Sequence, residues 1–472
     1  MIHIRQIHDM IALKPVVILI CSILLISLLF LSVIIPPFQS PDEFDHIKRA
    51  YLLTRGTIIL DSSEVKSSGG MVDSGLLNYM DAYRPLAGKA GKKMTAEDAA
   101  RTKPIKWTGE KKYSFAPGTG FYFPVLYTPQ AIGLLIGETL GLTVDRSYRL
   151  ARLCVLSAVT AILFAAFTIH NANPLIIALI FMPMSLFQFS SATLDGVSTA
   201  LSIFAVSAFL RISKDKEDVH PWLYYALAIS ATLIIGCRVN LLPMLLLIFL
   251  SFRQIRNKKN FYIFLISVIA VFVWTAIAIK TTVNVKAPAG VPTSTAVLFY
   301  LKSPLKFIEI LFNTLTSADK VSFYGVSFIG VLGWLDTPFP IETYYVFAVF
   351  LFLIGLLSLS PEGIRSDWKP RGALALCALG AILLIFFALS INWTPISAKV
   401  IEGVQGRYFM VPAVMIAYAL SGGLKPNCLR KKIVILLVVL FCLFSILKTA
   451  NILIVRYYLA NAQSEKVACL IS

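Results

Sequence analysis

Apolar runs long enough to cross a lipid bilayer recur along the whole sequence, beginning with Pro15 to Ile35. A membrane-spanning helix needs roughly 20 consecutive apolar residues. Hydrophobic residues make up 57% of the chain and charged residues only 14%, whereas soluble proteins carry about 25% charge. Because backbone polar groups inside hydrocarbon must be paired within their own segment, such runs fold as helices. The chain is therefore predicted to be an all-α polytopic membrane protein.

Short basic segments set the predicted topology, namely 211–218, 253–260, 365–372 and 425–432. Short loops rich in lysine and arginine stay on the cytoplasmic side of a membrane. Placing these segments and the N-terminus inside predicts about eleven spans and an outside C-terminus. The predicted spans are about 15–35, 150–169, 174–189, 194–211, 221–237, 240–252, 261–280, 341–360, 371–391, 406–421 and 432–455.

The whole chain, 1–472, is then one integral membrane domain with two large outside loops, at 36–148 and 281–340. Further apolar stretches in these loops are predicted to be amphipathic juxtamembrane or re-entrant helices, since another crossing would move every later basic loop outside. These stretches are 121–141, 305–315 and 323–334. The net charge of +18 fits basic loops beside anionic lipid, so membrane lipid is an expected partner and nucleic acid is not.

Three acids and a histidine follow the first span in the motif SPDEFDHIKR. One interpretation is structural, because Ser40 and Glu43 have the spacing of a capping box at a helix start. That interpretation does not account for Asp42, His46 and Arg49, which would share one helical face. A carboxylate just above the membrane core can act as a general base toward a substrate hydroxyl. Asp42 and His46 alone are too few ligands to predict a metal.

Two further charged residues interrupt apolar sequence later in the chain. Asp195 lies between two predicted spans, on the same side as Asp42, and a solvated turn is the alternative explanation. Arg238, with Asn240, lies in the motif CRVNLLP. Ionisable residues within membrane segments are costly and are therefore functional candidates by default.

The segment TPISAKVIEGVQGRYFMVP, residues 394–412, concentrates polar residues at the outside mouth of a predicted span. Candidate substrate-binding residues here are Lys399, Gln405, Arg407 and Tyr408. An arginine at the edge of a span can simply extend to lipid headgroups. Its planar guanidinium is also the group best suited to binding two phosphate oxygens.

Two other outside segments supply further candidates. Arg149 and Arg152 lie in DRSYRLARL, where they depart from the positive-inside pattern and could face an anion. Trp334 and Asp336 lie in GVLGWLDTPFP. Trp334 fits an aromatic anchor at the membrane surface, or a platform on which a sugar stacks.

The motifs PDEFDH, GVLGWLDTPFP and GVQGRYFMVP resemble signatures of a bacterial family of predicted membrane proteins described as a domain of unknown function. The acid pair Asp42–Glu43, the large first outside loop and Asp195 also resemble GT-C glycosyltransferases. More narrowly, the chain is similar to phage- and island-encoded enzymes that glucosylate O-antigen. The resemblance covers most of the chain, and GVQGRYFMVP is its most specific motif.

The resemblance implies a GT-C-like bundle in the bacterial inner membrane with its active site facing the periplasm. It implies a polyprenyl-phosphate-linked sugar donor, with glucose expected, and a lipid-linked O-antigen or another surface polysaccharide as acceptor. Asp42 would be the base, with Glu43 and Asp195 as the other catalytic acids. Outside-facing arginines suit the donor phosphate, and one base suffices for an inverting displacement. No cofactor is expected, although a divalent cation is left open.

Two alternatives use the same lipid-linked sugars. A flippase or transporter would also need arginines in the membrane, but no inverted repeat is visible and the polar residues lie on one face. An O-antigen polymerase or ligase would not need an acid pair after the first span.

Overall fold

The structure, a computed structural model, describes residues 2–63, 65–255, 257–285, 288–421 and 429–459, and it is 75% helical. The prediction of an all-α polytopic membrane protein is confirmed at this level. Helix α1, Ile2–Ile34, opens the chain, and its apolar part, Pro15–Ile34, is long enough to cross a membrane.

The first large loop, between α1 and the next long helix, contains helices and a small sheet. Its elements are α2 (Glu43–Thr54), β1 (Asp61–Ser63), β2 (Lys66–Asp73), α3 (Ser74–Tyr83), α4 (Ala96–Thr102), β3 (Lys111–Phe115) and α5 (Thr128–Thr139). The strands form one antiparallel sheet in the order β1-β2-β3, which the sequence analysis did not predict. Helix α5 has 12 residues, about 18 Å of helix, and is shorter than the hydrocarbon core of a bilayer.

A bundle of longer helices follows. It consists of α6 (Val144–Ile169), α7 (Pro174–Ile180), α8 (Pro183–Phe189), α9 (Leu194–Asp215), α10 (Trp222–Cys237), α11 (Leu245–Ile255) and α12 (Lys258–Thr281). Helix α5 packs closely on α6, because a Cβ atom on Gly133 would lie 2.3 Å from the Cα of Ala151. The predicted span at 174–189 is divided into α7 and α8, since Pro183 starts a new helix there.

The second large loop and the C-terminal helices complete the chain. The loop holds α13 (Thr293–Lys302), α14 (Pro304–Thr316), α15 (Ala318–Gly330) and the paired strands β4 (Val331–Leu332) and β5 (Thr337–Pro338). Then come α16 (Ile341–Ser358), α17 (Pro361–Ser366), α18 (Trp368–Asn392), α19 (Met410–Leu420) and α20 (Leu429–Tyr457).

Seven helices among the described residues are long and apolar enough to cross a membrane. They are α1, α6, α9, α12, α16, α18 and α20. Shorter apolar helices cover Trp222–Cys237, Val239–Ile255 and Gly406–Leu420. The positions of the predicted spans therefore coincide with helices, while the count of eleven crossings stays a prediction.

The basic segments 211–218, 253–260 and 365–372 lie at one end of the bundle, and the first half of the fourth, 425–432, lies outside the described residues. Gln254 donates to the hydroxyl of Ser213 over 3.3 Å, which joins the loops at 211–218 and 253–260. Arg371 donates to the carbonyl of Ser421 over 3.0 Å, and it acts electrostatically on His170 together with Lys214. Helix α9 starts at the opposite end from these loops, so its first turn lies far from them. The bundle thus has one basic end and one end that carries the predicted acids.

Candidate active site

Asp42 lies where the chain leaves α1 and enters α2. Helix α2 begins at Glu43, and Asp42 immediately precedes it with a left-handed φ of 64°. The backbone NH of Ser40 donates to Glu43 Oε2 over 3.2 Å, so one half of the predicted capping box forms. The Asp42 carboxylate makes no hydrogen bond to the helix and instead pairs with Arg407, whose Nη2 lies 2.8 Å away.

Glu43 is fully buried and holds three parts of the chain together. Its Oε1 accepts hydrogen bonds from the Tyr148 hydroxyl at 2.6 Å and from the backbone NH of Ala192 at 2.8 Å. Arg152 lies 3.6 Å from the same oxygen. Because Ala192 precedes α9, Glu43 fixes the start of α2 relative to the start of α9. Glu43, predicted as a catalytic acid, thus has its carboxylate engaged by Tyr148, Ala192 and Arg152 in this structure.

Asp195 lies in the first turn of α9 and is buried. Its Oδ2 accepts a hydrogen bond from Gln188 Nε2 at 3.1 Å and pairs with Arg407 Nη1 at 3.3 Å. Its Oδ1 pairs closely with Arg238, whose Nε also donates to the Ser198 hydroxyl over 3.3 Å. One carboxylate thus holds two guanidinium groups that come from distant parts of the chain.

Arg407 links the two predicted acids. Its side chain is only 4% exposed, and its Nε has no hydrogen-bond partner among the described residues. The preceding Gly406 is required by packing, since a Cβ there would lie 2.0 Å from the backbone nitrogen of Phe328. The Gly406 NH donates to the Ser327 hydroxyl over 2.8 Å, which fixes the backbone of this motif on α15. The packing of the motif VQGRYF on α15 therefore holds Arg407 rigidly in a buried position.

We call Asp42, Asp195, Arg238 and Arg407 the carboxylate–arginine cluster. The two carboxylates and two guanidinium groups balance, so the cluster carries no net charge when all four are ionised. A small cavity adjoins the cluster, and its lining includes Gln188, Thr199, Asn240 and Tyr408. Asp42 is the member that solvent reaches best, with 59% of its side chain exposed.

Asp42 and His46 have unusual protonation behaviour. Partial desolvation acts to raise the pKa of Asp42, but the ion pair with Arg407 and other nearby positive charge outweigh it and hold that pKa below its usual range. Burial lowers the pKa of His46 to about 3, despite the nearby carboxylate of Asp42. Nδ1 of His46 lies 2.7 Å from the Tyr127 hydroxyl. At neutral pH the site therefore combines an ionised Asp42 with an uncharged imidazole.

Three predicted arginines bind groups outside the cluster, two of them backbone carbonyls and one a side-chain carboxylate. The sequence predicts that Arg49 shares a helical face with Asp42, and in the structure its guanidinium donates to the carbonyl oxygens of Thr57 at 3.3 Å and Ile58 at 2.6 Å. Arg152 donates to the carbonyl of Ile35 at 2.8 Å and satisfies the end of α1. Arg149 pairs with Asp145 at 2.9 Å. In this structure all three stabilise the fold around the site.

Of the remaining predicted residues, some bind groups elsewhere in the fold and one lies beside the cluster. Trp334 donates its indole NH to the carbonyl of Phe38 over 2.9 Å, and Asp336 pairs with Arg456 at 2.7 Å. Tyr408 lies beside the cluster, since the Arg407 guanidinium carbon is 5.3 Å from the centre of its ring. Gln405 is half-buried with an unpartnered Oε1, and Lys399 is exposed.

Sequence reasoning missed Gln188, Ser198 and Tyr122. Gln188 and Ser198 each contact a charged member of the cluster, and Tyr122 lies near enough for Asp42 and Arg238 to act on it electrostatically. A glutamine in the apolar segment SLFQFSS was the only local signal for Gln188. Nothing in the spacing distinguishes Tyr122 from the other aromatic residues of the first loop.

No group of three or more potential metal ligands occurs among the described His, Cys, Asp and Glu residues. Asp42 and Asp195 could offer carboxylate oxygens to a divalent cation, but both already pair with a guanidinium. The donor set of this cluster suits an anion that exchanges with a carboxylate better than it suits a cation.

A family model described as "Predicted membrane protein (DUF2142)" matches residues 25–417 and includes every member of the carboxylate–arginine cluster. No curated protein and no solved structure matches the chain. The comparisons thus provide a family and no activity.

Proposed function

The chain belongs to the DUF2142 family of predicted membrane proteins, and we propose that it is a GT-C type glycosyltransferase of the bacterial inner membrane. It transfers a sugar, with glucose as the first candidate, from polyprenyl phosphate to a hydroxyl of lipid-linked O-antigen or another surface glycan. The observation that carries the proposal is the ion pair between Arg407 and Asp42, which brings a phosphate-binding group and a base into one contact.

Charge supports a donor with a single phosphate. The cluster is neutral when Asp42 and Asp195 pair with Arg407 and Arg238. A sugar phosphodiester brings one negative charge, whereas a diphosphate brings two into a largely buried place, where uncompensated charge is costly. Arg407 offers its unpartnered Nε and a planar fork that matches phosphate oxygens. A polyprenyl chain would keep that phosphate at the membrane end where Arg407 lies.

The same contact suggests how the base is released. When the donor phosphate binds Arg407, Asp42 loses the partner that lowers its pKa and becomes a stronger base. Asp42 then accepts the proton of the acceptor hydroxyl as that oxygen bonds to the anomeric carbon. The bond from the anomeric carbon to the phosphate oxygen breaks, and its electron pair leaves with polyprenyl phosphate. Arg407 stabilises this growing charge, and the configuration of the sugar inverts.

Orientation supports a periplasmic reaction. The basic loops lie at one end of the bundle and the cluster lies toward the other, where the predicted outside loops begin. Short basic loops stay in the cytoplasm, so the cluster would face the periplasm. Polyprenyl-linked sugars and surface glycans meet on that face.

The test is a transfer assay in proteoliposomes with radiolabelled hexosyl polyprenyl phosphate and a lipid-linked glycan. A transferase should move label to the glycan and release polyprenyl phosphate in equal amount. A flippase would move the intact donor between leaflets without cleaving it. A polymerase would lengthen the glycan without consuming this donor. Donor that stays intact across a panel of sugars and acceptors would refute the transferase proposal.

A further inference from the structure

Tyr122 occupies a rigidly held position in the first large loop. On one side, the carbonyl of Phe121 accepts a hydrogen bond from the indole of Trp274 at 3.2 Å. On the other, the backbone NH of Phe123 donates to the carbonyl of Gly236 over 3.0 Å. Gly236 lies two residues before Arg238. The backbone around Tyr122 is therefore fastened to α10 and α12 next to a member of the carboxylate–arginine cluster.

The ring of His46 packs against one face of the Tyr122 ring. The two rings are stacked, with centroids 6.2 Å apart and an angle of 13° between their planes. His46 is itself fixed by the contact of 2.7 Å between its Nδ1 and the Tyr127 hydroxyl. An uncharged imidazole in this position acts as a flat, rigid backing. Stacked aromatic rings at such distances hold one another's orientation.

The surroundings of Tyr122 place it beside the proposed reaction. Asp42, Arg238, Arg407 and Tyr408 all lie close enough to act on it electrostatically. Its side chain is half-buried rather than closed off, and its hydroxyl makes no hydrogen bond to the described residues. A rigid aromatic ring with an unused hydroxyl, next to two arginines and a carboxylate, has no evident role in holding the fold.

We propose that Tyr122 is the platform on which the transferred sugar packs, with its ring against the apolar face of a hexopyranose and its hydroxyl free to bond a sugar hydroxyl. This inference rests on the proposed function. The sugar is joined directly to the phosphate, so it must lie next to Arg407 and Arg238, as Tyr122 does. Trp334 is the sugar platform that the sequence suggests, but its indole NH donates to the carbonyl of Phe38 and its ring packs on Phe44, so it serves the fold instead.

Binding of two probes separates sugar recognition from phosphate recognition. The probes are farnesyl phosphate and farnesyl phosphate that carries glucose, titrated against the full-length protein in detergent. Tyr122→Leu should weaken binding of the glucosylated probe about tenfold and leave binding of the bare phosphate unchanged, because one stacked ring contributes on the order of a factor of ten. Tyr122→Phe should keep most of the affinity. Tyr113→Leu, in the same loop but on β3, is the matched control and should change neither.

An equal loss for both probes, or no loss for either, would overturn the assignment of Tyr122. Should Tyr122→Leu fail to fold, hydroxyl-radical footprinting of the unaltered protein answers the same question. The glucosylated probe should protect Tyr122 and the bare phosphate should not; protection by both or by neither contradicts the proposal. Failure of the proposed function has a different signature, namely normal sugar-dependent binding without any transfer to acceptor.

Discussion

Replacing Asp42 by asparagine removes the proposed base with little damage to the fold. Asparagine tolerates the left-handed backbone found at this position, where φ is 64°. The side chain is 59% exposed, and exposed ion pairs contribute only about 0–1 kcal/mol to stability. The thermal unfolding temperature of Asp42→Asn should therefore stay close to that of the unaltered protein.

The effect on transfer should be much larger than the effect on stability. General base catalysis contributes about 10²–10⁴ in rate, which corresponds to roughly 2.7–5.5 kcal/mol in the barrier. We expect single-turnover transfer by Asp42→Asn to fall within that range at saturating donor. Donor binding should hold or improve, because Arg407 loses the carboxylate that competes with the phosphate.

Asp45→Asn provides the matched control. Asp45 lies three residues further along the chain, in the first turn of α2. It is about one third exposed and pairs with Lys48 at 2.7 Å instead of with the cluster. It loses the same charge and should transfer at nearly the normal rate. If Asp42→Asn transfers sugar as fast as the unaltered protein, or if both variants lose activity equally, Asp42 is not the base.

Three further predictions follow from the cluster and its surroundings. Arg407→Ala should nearly abolish donor binding and transfer, whereas Arg407→Lys keeps the charge without the fork and should leave partial activity; normal transfer by both would show that Arg407 only contacts lipid. The pKa of His46 is lowered to about 3, so the unfolded state binds its proton first and stability should fall by up to about 1.4 kcal/mol per pH unit below about pH 6.5. Between pH 7 and pH 5, the thermal unfolding temperature in detergent should fall less for His46→Gln than for the control His220→Gln, which changes an exposed side chain. An equal fall in unfolding temperature for the two variants would contradict this reasoning. A cysteine placed at exposed Ser63 should react with an impermeant reagent from the periplasm and one at exposed Asn257 should not, and the reverse pattern would invert the topology.

The helical part of the fold could be predicted from sequence because bilayer-length apolar runs permit little else. The sheet of the first loop could not, since β2 reads KSSGGMVD, with two glycines and no alternation of apolar and polar residues. Its pairing with β3 at Met71 and Tyr113 depends on tertiary contacts across a long loop. The break between α7 and α8 was signalled by Pro183, but an apolar run around a proline also fits a kinked single span.

The four residues of the cluster could be recognised in the sequence by their charge. Asp42, Asp195 and Arg407 stand out because charges are rare in such sequence. The partner of a charge, however, cannot be identified locally. Arg152 and Arg407 both lie near span ends, yet one donates to the carbonyl of Ile35 and the other pairs with two carboxylates. Uncharged Tyr122 gave no signal, because its position depends on α10 and α12.

The ion pairs of the cluster also set an order for its assembly during synthesis. Asp195 and Arg238 are 43 residues apart and can pair early, as neighbouring helices enter the membrane. Arg407 reaches Asp195 across 212 residues and Asp42 across 365, so the ribosome must make most of the chain before the last contact can form. Until then Asp42 lies at the membrane surface without its partner Arg407. A nascent chain arrested before α19 would therefore lack a complete carboxylate–arginine cluster, and only synthesis of the segment that carries Arg407 would complete it.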